Sequence, residues 1–172
     1  MLPKWVTWAV VIAIILTLLW QSPKVVDKVI EIVVKKGLLP HVKIQWEKVQ
    51  SELPFKVKVG RTFVTDEEQA NVDPSKTGTN NSWHEIGRAL DIYVYDEKGK
   101  LDMDGKREDL YLILHKTAVK HGFSNIAFNK DWSKRFITTK SGAKKRDLAH
   151  IEYRDGMTWA QAKASYDKGA TA

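Results

Sequence analysis

The strongest constraint on this chain is the stretch from Ser82 to Asp91, which places an imidazole and a carboxylate seven residues apart. A second imidazole follows at His150, just beyond the acidic side chain of Asp147. Two histidines and one carboxylate form a ligand set suited to a catalytic zinc, which takes three protein groups and keeps a fourth position open. A fold that uses this set must bring His84, Asp91 and His150 together.

The residues between the first two ligands favour a loop that leads into a strand. If the whole stretch were helical, His84 and Asp91 would share one face at a separation of about two turns. Gly87 and the β-rich run 89–95 indicate instead that a bend brings these two side chains together. His84 and His150 each lie beside a predicted loop-to-strand transition, where ligands are held on rigid elements. The other three histidines are interpreted as structural: His41, His115 and His121.

The composition removes several classes of enzyme and leaves others open. The chain of 172 residues contains no cysteine, which excludes disulfides, thiolate metal ligands and a cysteine nucleophile. Its 28 basic and 21 acidic residues give a net charge of +7, which suits a polyanionic partner such as anionic lipid or bacterial cell wall. No RNA-binding or DNA-binding motif is recognisable, so we expect no nucleic acid partner.

The N-terminal segment 1–23 is predicted to be a membrane anchor or an export signal. The run from Trp5 to Trp20 carries no charge, is rich in valine, isoleucine and leucine, and has a tryptophan at each end. It is somewhat short for a hydrocarbon core of about 30 Å, but no small-residue cleavage signal precedes Pro23. An uncleaved transmembrane helix is therefore the first interpretation, with a cleaved signal or a buried helix as alternatives. Residues 24–37 predict an amphipathic linker helix, either against the membrane or packed on the domain.

The remaining residues, 38–172, are predicted to form one domain that mixes helices and strands. Helical spacing of apolar residues, or a capping box in one case, predicts four helices: 41–53, 65–72, 106–121 and 159–166. Alternation of apolar and polar residues predicts a strand at 55–59, and a β-rich run predicts another at 89–95. A final strand is expected at 149–153, and segment 123–128 is predicted to be a strand or extended. The polar stretches predict two loops, 71–82 and 138–146.

These residues resemble a known family of zinc peptidases. Ser-x-His-x-x-Gly-x-Ala-x-Asp at 82–91 and Asp-x-x-His at 147–150 are similar to the signature of the zinc D-alanyl-D-alanine carboxypeptidases and L-alanyl-D-glutamate endopeptidases, which include many phage endolysins. Arg61-Thr62 and Glu67-Glu68-Gln69 are similar to the segment that precedes the metal motif in that family. The resemblance runs from about Leu38 to Tyr153. It implies an α+β fold with a small antiparallel sheet and flanking helices, like the Hedgehog and D-Ala-D-Ala peptidase domains.

The resemblance also implies the roles of individual residues. His84, Asp91 and His150 would hold Zn²⁺, and Asp147 would take a proton from the attacking water and pass it to the leaving amine. Without this resemblance, the preferred interpretation of Asp147 is a solvated charge in a basic loop.

Three further residues have implied or possible roles near the ligands. Arg61 would stabilise the oxyanion of the tetrahedral intermediate, although it also reads as an ordinary strand-end arginine. Ser82 would hydrogen-bond the substrate or a ligand. Glu152, two residues beyond a ligand, is a rival base, or a group that lies behind the ligands or faces outward.

The predicted function is therefore zinc-dependent hydrolysis of the peptidoglycan stem peptide, first as an L-alanyl-D-glutamate endopeptidase of a phage or prophage endolysin. The alternatives are a D,D-carboxypeptidase of the cell wall and a non-catalytic zinc-binding domain on the same fold. We expect a monomer, anchored in the inner membrane, with its catalytic domain on the periplasmic or cell-wall side. The positive-inside rule conflicts with that orientation, because four lysines follow the anchor: Lys24, Lys28, Lys35 and Lys36.

Overall fold

The computed structural model describes residues 37–73 and 81–169. Within these two ranges, no helix has both the length and the apolar character needed to cross a bilayer. The predicted anchor 1–23 lies outside the described residues, as does the predicted linker helix 24–37 except for Gly37. Both therefore stay predictions.

The described residues contain four α-helices and one short 3-10 helix. The helices are α1 (Pro40–Glu52), α2 (Asp66–Ala70), the 3-10 helix (Trp83–Ile86), α3 (Glu108–Lys120) and α4 (Trp159–Asp167). Proline at the start of α1 suits a position where the backbone N–H has no partner within the helix. A capping box starts α2, because the Thr65 hydroxyl accepts the Glu68 N–H and the Glu68 carboxylate accepts the Thr65 N–H. The four predicted helices are confirmed, with each end within two residues of its predicted position.

One antiparallel sheet organises the domain around a central seven-residue strand. The strands are β1 (Val57–Val59), β2 (Ala89–Tyr95), β3 (Leu101–Asp102), β4 (Ser124–Asn125) and β7 (His150–Glu152). Their order is β1-β2-β7-β4, and β3 also pairs with β2. All of these pairings are antiparallel. The expected α+β fold, with a small antiparallel sheet and flanking helices, is confirmed for the described residues.

The two faces of β2 separate the core from the site. Leu90, Ile92 and Val94 are fully buried, while the residues that alternate with them at 91, 93 and 95 are only partly buried. Because side chains alternate across a strand, these three point to one face and Asp91 points to the other. The first face packs against residues of α1 and α3 in one apolar core, whose members include Val42, Trp46, Val49, Tyr111 and Leu114. Asp91 is thereby free to serve a polar site.

A two-stranded hairpin lies where the sequence predicted a loop over 138–146. β5 (Ile137–Thr138) pairs antiparallel with β6 (Lys144–Lys145), so the loop prediction was wrong at both ends. Gly142, in the turn between them, has a φ of +84°, a conformation that glycine adopts without strain. These short strands carry one apolar residue in four, so hydrophobic periodicity could not reveal them.

His115 on α3 fixes the segment that precedes β7. Its side chain is fully buried, and Nε2 donates a hydrogen bond of 2.8 Å to the backbone oxygen of Leu148. Nδ1 is buried and accepts no hydrogen bond from any described residue. Burial lowers the pKa of His115 to about 4, because a proton on Nδ1 would have no partner there. The histidine is structural, as the sequence indicated, and it is neutral near pH 7.

Because His115 is neutral in the folded protein, we expect the free energy of unfolding to decrease as the pH is lowered. Its folded pKa of about 4 lies below the ordinary value of 6.5, so the unfolded chain takes up the proton first. The contribution is complete above about pH 6.5 and is lost progressively toward pH 4, by roughly 3 kcal/mol. Urea unfolding of the metal-free protein at pH 7, 5.5 and 4.5 measures it. A His115→Gln variant should show a shallower loss, and an equal slope in both proteins would contradict this account.

Candidate metal centre

The 3-10 helix presents His84 through a capping box that the sequence contains at Ser82 and Glu85. The Ser82 hydroxyl accepts the His84 N–H at 3.3 Å, and the Glu85 carboxylate accepts the Ser82 N–H at 2.5 Å. The indole of Trp159 on α4 donates to the Ser82 backbone oxygen at 3.2 Å. Three contacts therefore fix the backbone immediately before His84. The Ser-x-x-Glu spacing is a sequence signal for this cap, which was not among the predicted elements.

Gly87 makes the bend between His84 and the strand that carries Asp91. Its φ is +63°, in the left-handed region, and a Cβ there would lie 2.5 Å from the backbone oxygen of Gly37. Leu39 N–H also donates to the Gly87 oxygen at 3.0 Å, which holds the two segments close. Any side chain at position 87 would therefore be strained and would collide with backbone. This explains the glycine of the motif by local geometry.

The register between β2 and β7 places Asp91 opposite His150. These residues are paired across the two antiparallel strands, so their side chains lie on the same face of the sheet. The Asp91 N–H donates to the backbone oxygen of Arg61 at 2.8 Å, which continues the β1–β2 pairing to that residue. The sheet therefore brings residues from three parts of the chain to one point.

The three candidate ligand atoms form a nearly equilateral triangle. His84 Nε2 lies 3.2 Å from Asp91 Oδ1 and 3.2 Å from His150 Nδ1, and the third side, from His150 Nδ1 to Asp91 Oδ1, is 3.1 Å. Tetrahedral coordination by nitrogen and oxygen at about 2.0–2.1 Å separates neighbouring ligand atoms by roughly 3.3–3.4 Å. The donor set and its spacing therefore fit zinc with three protein ligands and one open position.

The charges of this cluster are strongly coupled. Burial opposes the ionisation of Asp91, but hydrogen bonds from His150 and His84 outweigh it and hold its pKa well below the usual range. Burial would lower the pKa of His150, but hydrogen bonds to Asp91 and Glu152 raise it to about 9. Burial lowers the pKa of His84. Such a cluster favours cations, and a metal ion would compete with the proton of His150 for the same position.

Glu152 contacts the ring nitrogen of His150 that does not face Asp91. His150 Nε2 lies 3.1 Å from the Glu152 carboxylate, and Arg154 Nε donates to the same carboxylate at 2.7 Å. A carboxylate on the second ring nitrogen fixes the tautomer and the orientation of a metal-binding histidine. The outward-facing interpretation of Glu152 is wrong, because the residue is buried and contacts the candidate ligand His150. Period-two alternation in β7 was the signal that pointed to this.

Arg61 forms an ion pair with Asp91, the third candidate ligand. Its Nε donates to Asp91 Oδ2 at 2.9 Å, on the oxygen that does not face the histidines. No described residue accepts a hydrogen bond from its two Nη groups, and the side chain is about half exposed and lines the cavity. The guanidinium can therefore orient Asp91 and still present donors to a substrate. The oxyanion role stays a prediction.

The cluster opens into a cavity of about 260 Å³ that also contains the other predicted site residues. Its walls include Ser82, Asp147 and Arg61, together with His84 and His150. Asp147 is half-buried, and its carboxylate forms no hydrogen bond or ion pair with the described residues. Ser82 uses its hydroxyl to cap the 3-10 helix, and its contact with substrate stays a prediction. A substrate in this cavity would meet the ligands, a free carboxylate and a guanidinium together.

Comparison with known proteins supports the fold. No family model and no curated protein matches this chain. Among solved structures, the chain is similar to the L-Ala D-Glu endopeptidase ChiX of Serratia marcescens, with a TM-score of 0.52 and 13% identity over 74% of this chain and 86% of that chain. It is also similar to VanYB in complex with D-alanine-D-alanine, with a TM-score of 0.39 and 17% identity over 76% and 75% of the two chains. The first similarity shows the α+β fold alone, and the second is too distant to carry an argument.

Proposed function

We propose that this protein is a zinc-dependent peptidase that hydrolyses the stem peptide of peptidoglycan. The observation that carries the proposal is the convergence of His84, Asp91 and His150 within 3.2 Å of one another, in a cavity that also contains Asp147 and Arg61. A site that only stored zinc would need neither of the last two residues. Their presence argues against a non-catalytic zinc-binding domain.

The residues of the site divide the chemical work. His84, Asp91 and His150 would hold the zinc ion, which when bound supplies Lewis acidity that polarises the scissile carbonyl and lowers the pKa of a water molecule toward about 7. Asp147 accepts a proton from the attacking water and passes it to the nitrogen of the leaving amine. The free Nη groups of Arg61 donate hydrogen bonds to the carbonyl oxygen as negative charge develops on it.

An L-alanyl-D-glutamate endopeptidase is our first choice of activity. The similarity in fold to an L-Ala D-Glu endopeptidase supports it, as do the motif residues at 82–91 and 147–150. A phage or prophage endolysin would need this activity at the cell wall. We therefore place the catalytic domain outside the inner membrane, with segment 1–23 as its anchor or export signal.

Mass analysis of peptidoglycan fragments tests this proposal. Purified peptidoglycan treated with the zinc-loaded protein should release fragments with a new amino terminus on D-glutamate. Loss of one terminal D-alanine would identify a D,D-carboxypeptidase instead. Unchanged peptidoglycan and unchanged free stem peptides, after treatment with folded zinc-loaded protein, would refute both activities.

A further inference from the structure

The arginines that line the cavity differ in whether they form an ion pair with an acidic side chain of the protein. Arg61 is paired with Asp91 at 2.9 Å, and Arg154 is paired with Glu152 at 2.7 Å. Arg135 also lines the cavity, but no described residue pairs with its guanidinium. An uncompensated cation in the wall of a binding cavity is a site for an anionic group of the ligand.

The local backbone directs Arg135 toward the cavity. Its N–H donates to the backbone oxygen of Ala127 at 3.3 Å, which ties this segment to the residues that follow β4. Arg135 and Ile137 both line the cavity, whereas Phe136 between them is 55% exposed and does not. Residues two apart share a face in an extended segment, so this pattern of lining and exposed residues indicates that 135–137 is extended. The guanidinium is therefore placed at the cavity by the start of the hairpin.

The acidic group that contacts the sequence neighbour of Arg135 is already engaged by other cations. Glu108 on α3 pairs with Arg146 at 2.6 Å and with Lys134, the neighbour of Arg135, at 3.1 Å. The carboxylate of Glu108 is thus taken by Lys134 and Arg146, and the Arg135 guanidinium has no ion-pair partner among the described residues.

We propose that Arg135 binds a carboxylate carried by the leaving residue of the substrate. This inference rests on the proposed function, and it deepens it by naming a substrate class: peptides with a free carboxylate next to the scissile nitrogen. In a stem peptide, D-glutamate continues through its γ-carboxyl, so its α-carboxylate is free beside the L-alanyl bond. A terminal D-alanine also has a free carboxylate at that place. Arg135 therefore selects the acid form over the amide form in either reaction.

Two matched pairs of peptides test the role of Arg135. One pair carries D-glutamate or its α-amide, D-isoglutamine, after L-alanine; the other ends in D-alanyl-D-alanine or its terminal amide. Cleavage is followed as kcat/KM with the zinc-loaded protein, and binding is followed by calorimetry in an Asp147→Ala variant, which should not turn over. Arg135→Gln and Arg135→Lys are compared with Lys140→Gln, which removes one exposed charge from the same hairpin outside the cavity wall.

We expect the unsubstituted protein to prefer the acid peptide by roughly 10- to 100-fold, the size of a charge-assisted hydrogen bond. Arg135→Gln should bring the acid-to-amide ratio close to one, Arg135→Lys should retain part of it, and Lys140→Gln should keep it. Cleavage without discrimination, or equal loss for both forms in Arg135→Gln, overturns the inference while the proposed function stands. Acid-selective, Arg135-dependent binding without cleavage supports the inference and refutes the proposed function. Absence of both binding and cleavage overturns both.

Discussion

Replacement of Asp147 by asparagine is expected to lower the rate of stem-peptide hydrolysis by roughly 10²- to 10⁴-fold, the usual contribution of a general acid-base group. Asparagine keeps the shape of the side chain but cannot accept the proton of the attacking water. Zinc affinity and thermal stability should stay close to those of the unsubstituted protein, since Asp147 is not among the three converging ligands.

The position of Asp147 supports this role over that of a solvated loop charge. The residue lies in the cavity wall beside His84 and His150, and its successor Leu148 is held by the hydrogen bond from buried His115. The backbone is thus fixed while the carboxylate has no partner among the described residues that would compete for a proton. Glu152 lacks this freedom, because His150 and Arg154 both engage its carboxylate.

Initial rates on a synthetic stem peptide, with zinc content measured in each sample, check this prediction. Asp104→Asn is a suitable control, because its side chain is 72% exposed and lies outside the cavity wall. It removes the same charge and should leave the rate unchanged. Near-normal hydrolysis by Asp147→Asn would show that the proton is accepted elsewhere, and Glu152 would then become the first group to test.

The sequence was sufficient for elements whose pattern is local. The strand at 89–95 has the predicted bounds because it is one continuous β-rich run that follows Gly87 and ends before the turn at 96–99. The capping box at Thr65 was equally readable, because all of its contacts lie within four residues.

Contacts between distant segments could not be read in this way. The pairing of Asp91 with His150 joins residues 59 positions apart, and only the register of the sheet sets it. The ion pair between Arg61 and Asp91 likewise depends on β1 lying beside β2. The motif indicated which side chains to consider, whereas their distances come from packing. Packing likewise decides the ion pairs next to Arg135, because Glu108 pairs with Lys134 and Arg146.

Removal of the metal is expected to have the second large effect: treatment with a chelator should abolish hydrolysis, and stoichiometric zinc should restore it. The apolar core is built from other side chains, including Trp46, Tyr111 and Ile151, so the metal-free domain should stay folded. It should nevertheless be less stable, because a ligand at about 100 times its Kd stabilises the native state by roughly 2.7 kcal/mol. Thermal unfolding with and without zinc measures that difference directly.

His84→Ala separates the site from adventitious zinc binding elsewhere on the surface. This variant removes one corner of the ligand triangle, so both the zinc-dependent rise in Tm and the hydrolysis should disappear. His121→Ala is the matched control: this histidine follows α3, pairs with Glu52 at 2.8 Å, and lies outside the cavity wall. It should retain both effects. Because the ligands and the hydrolytic groups share one cavity, a zinc-dependent rise in Tm that survives in His84→Ala would place the metal elsewhere and remove the basis of the proposed reaction.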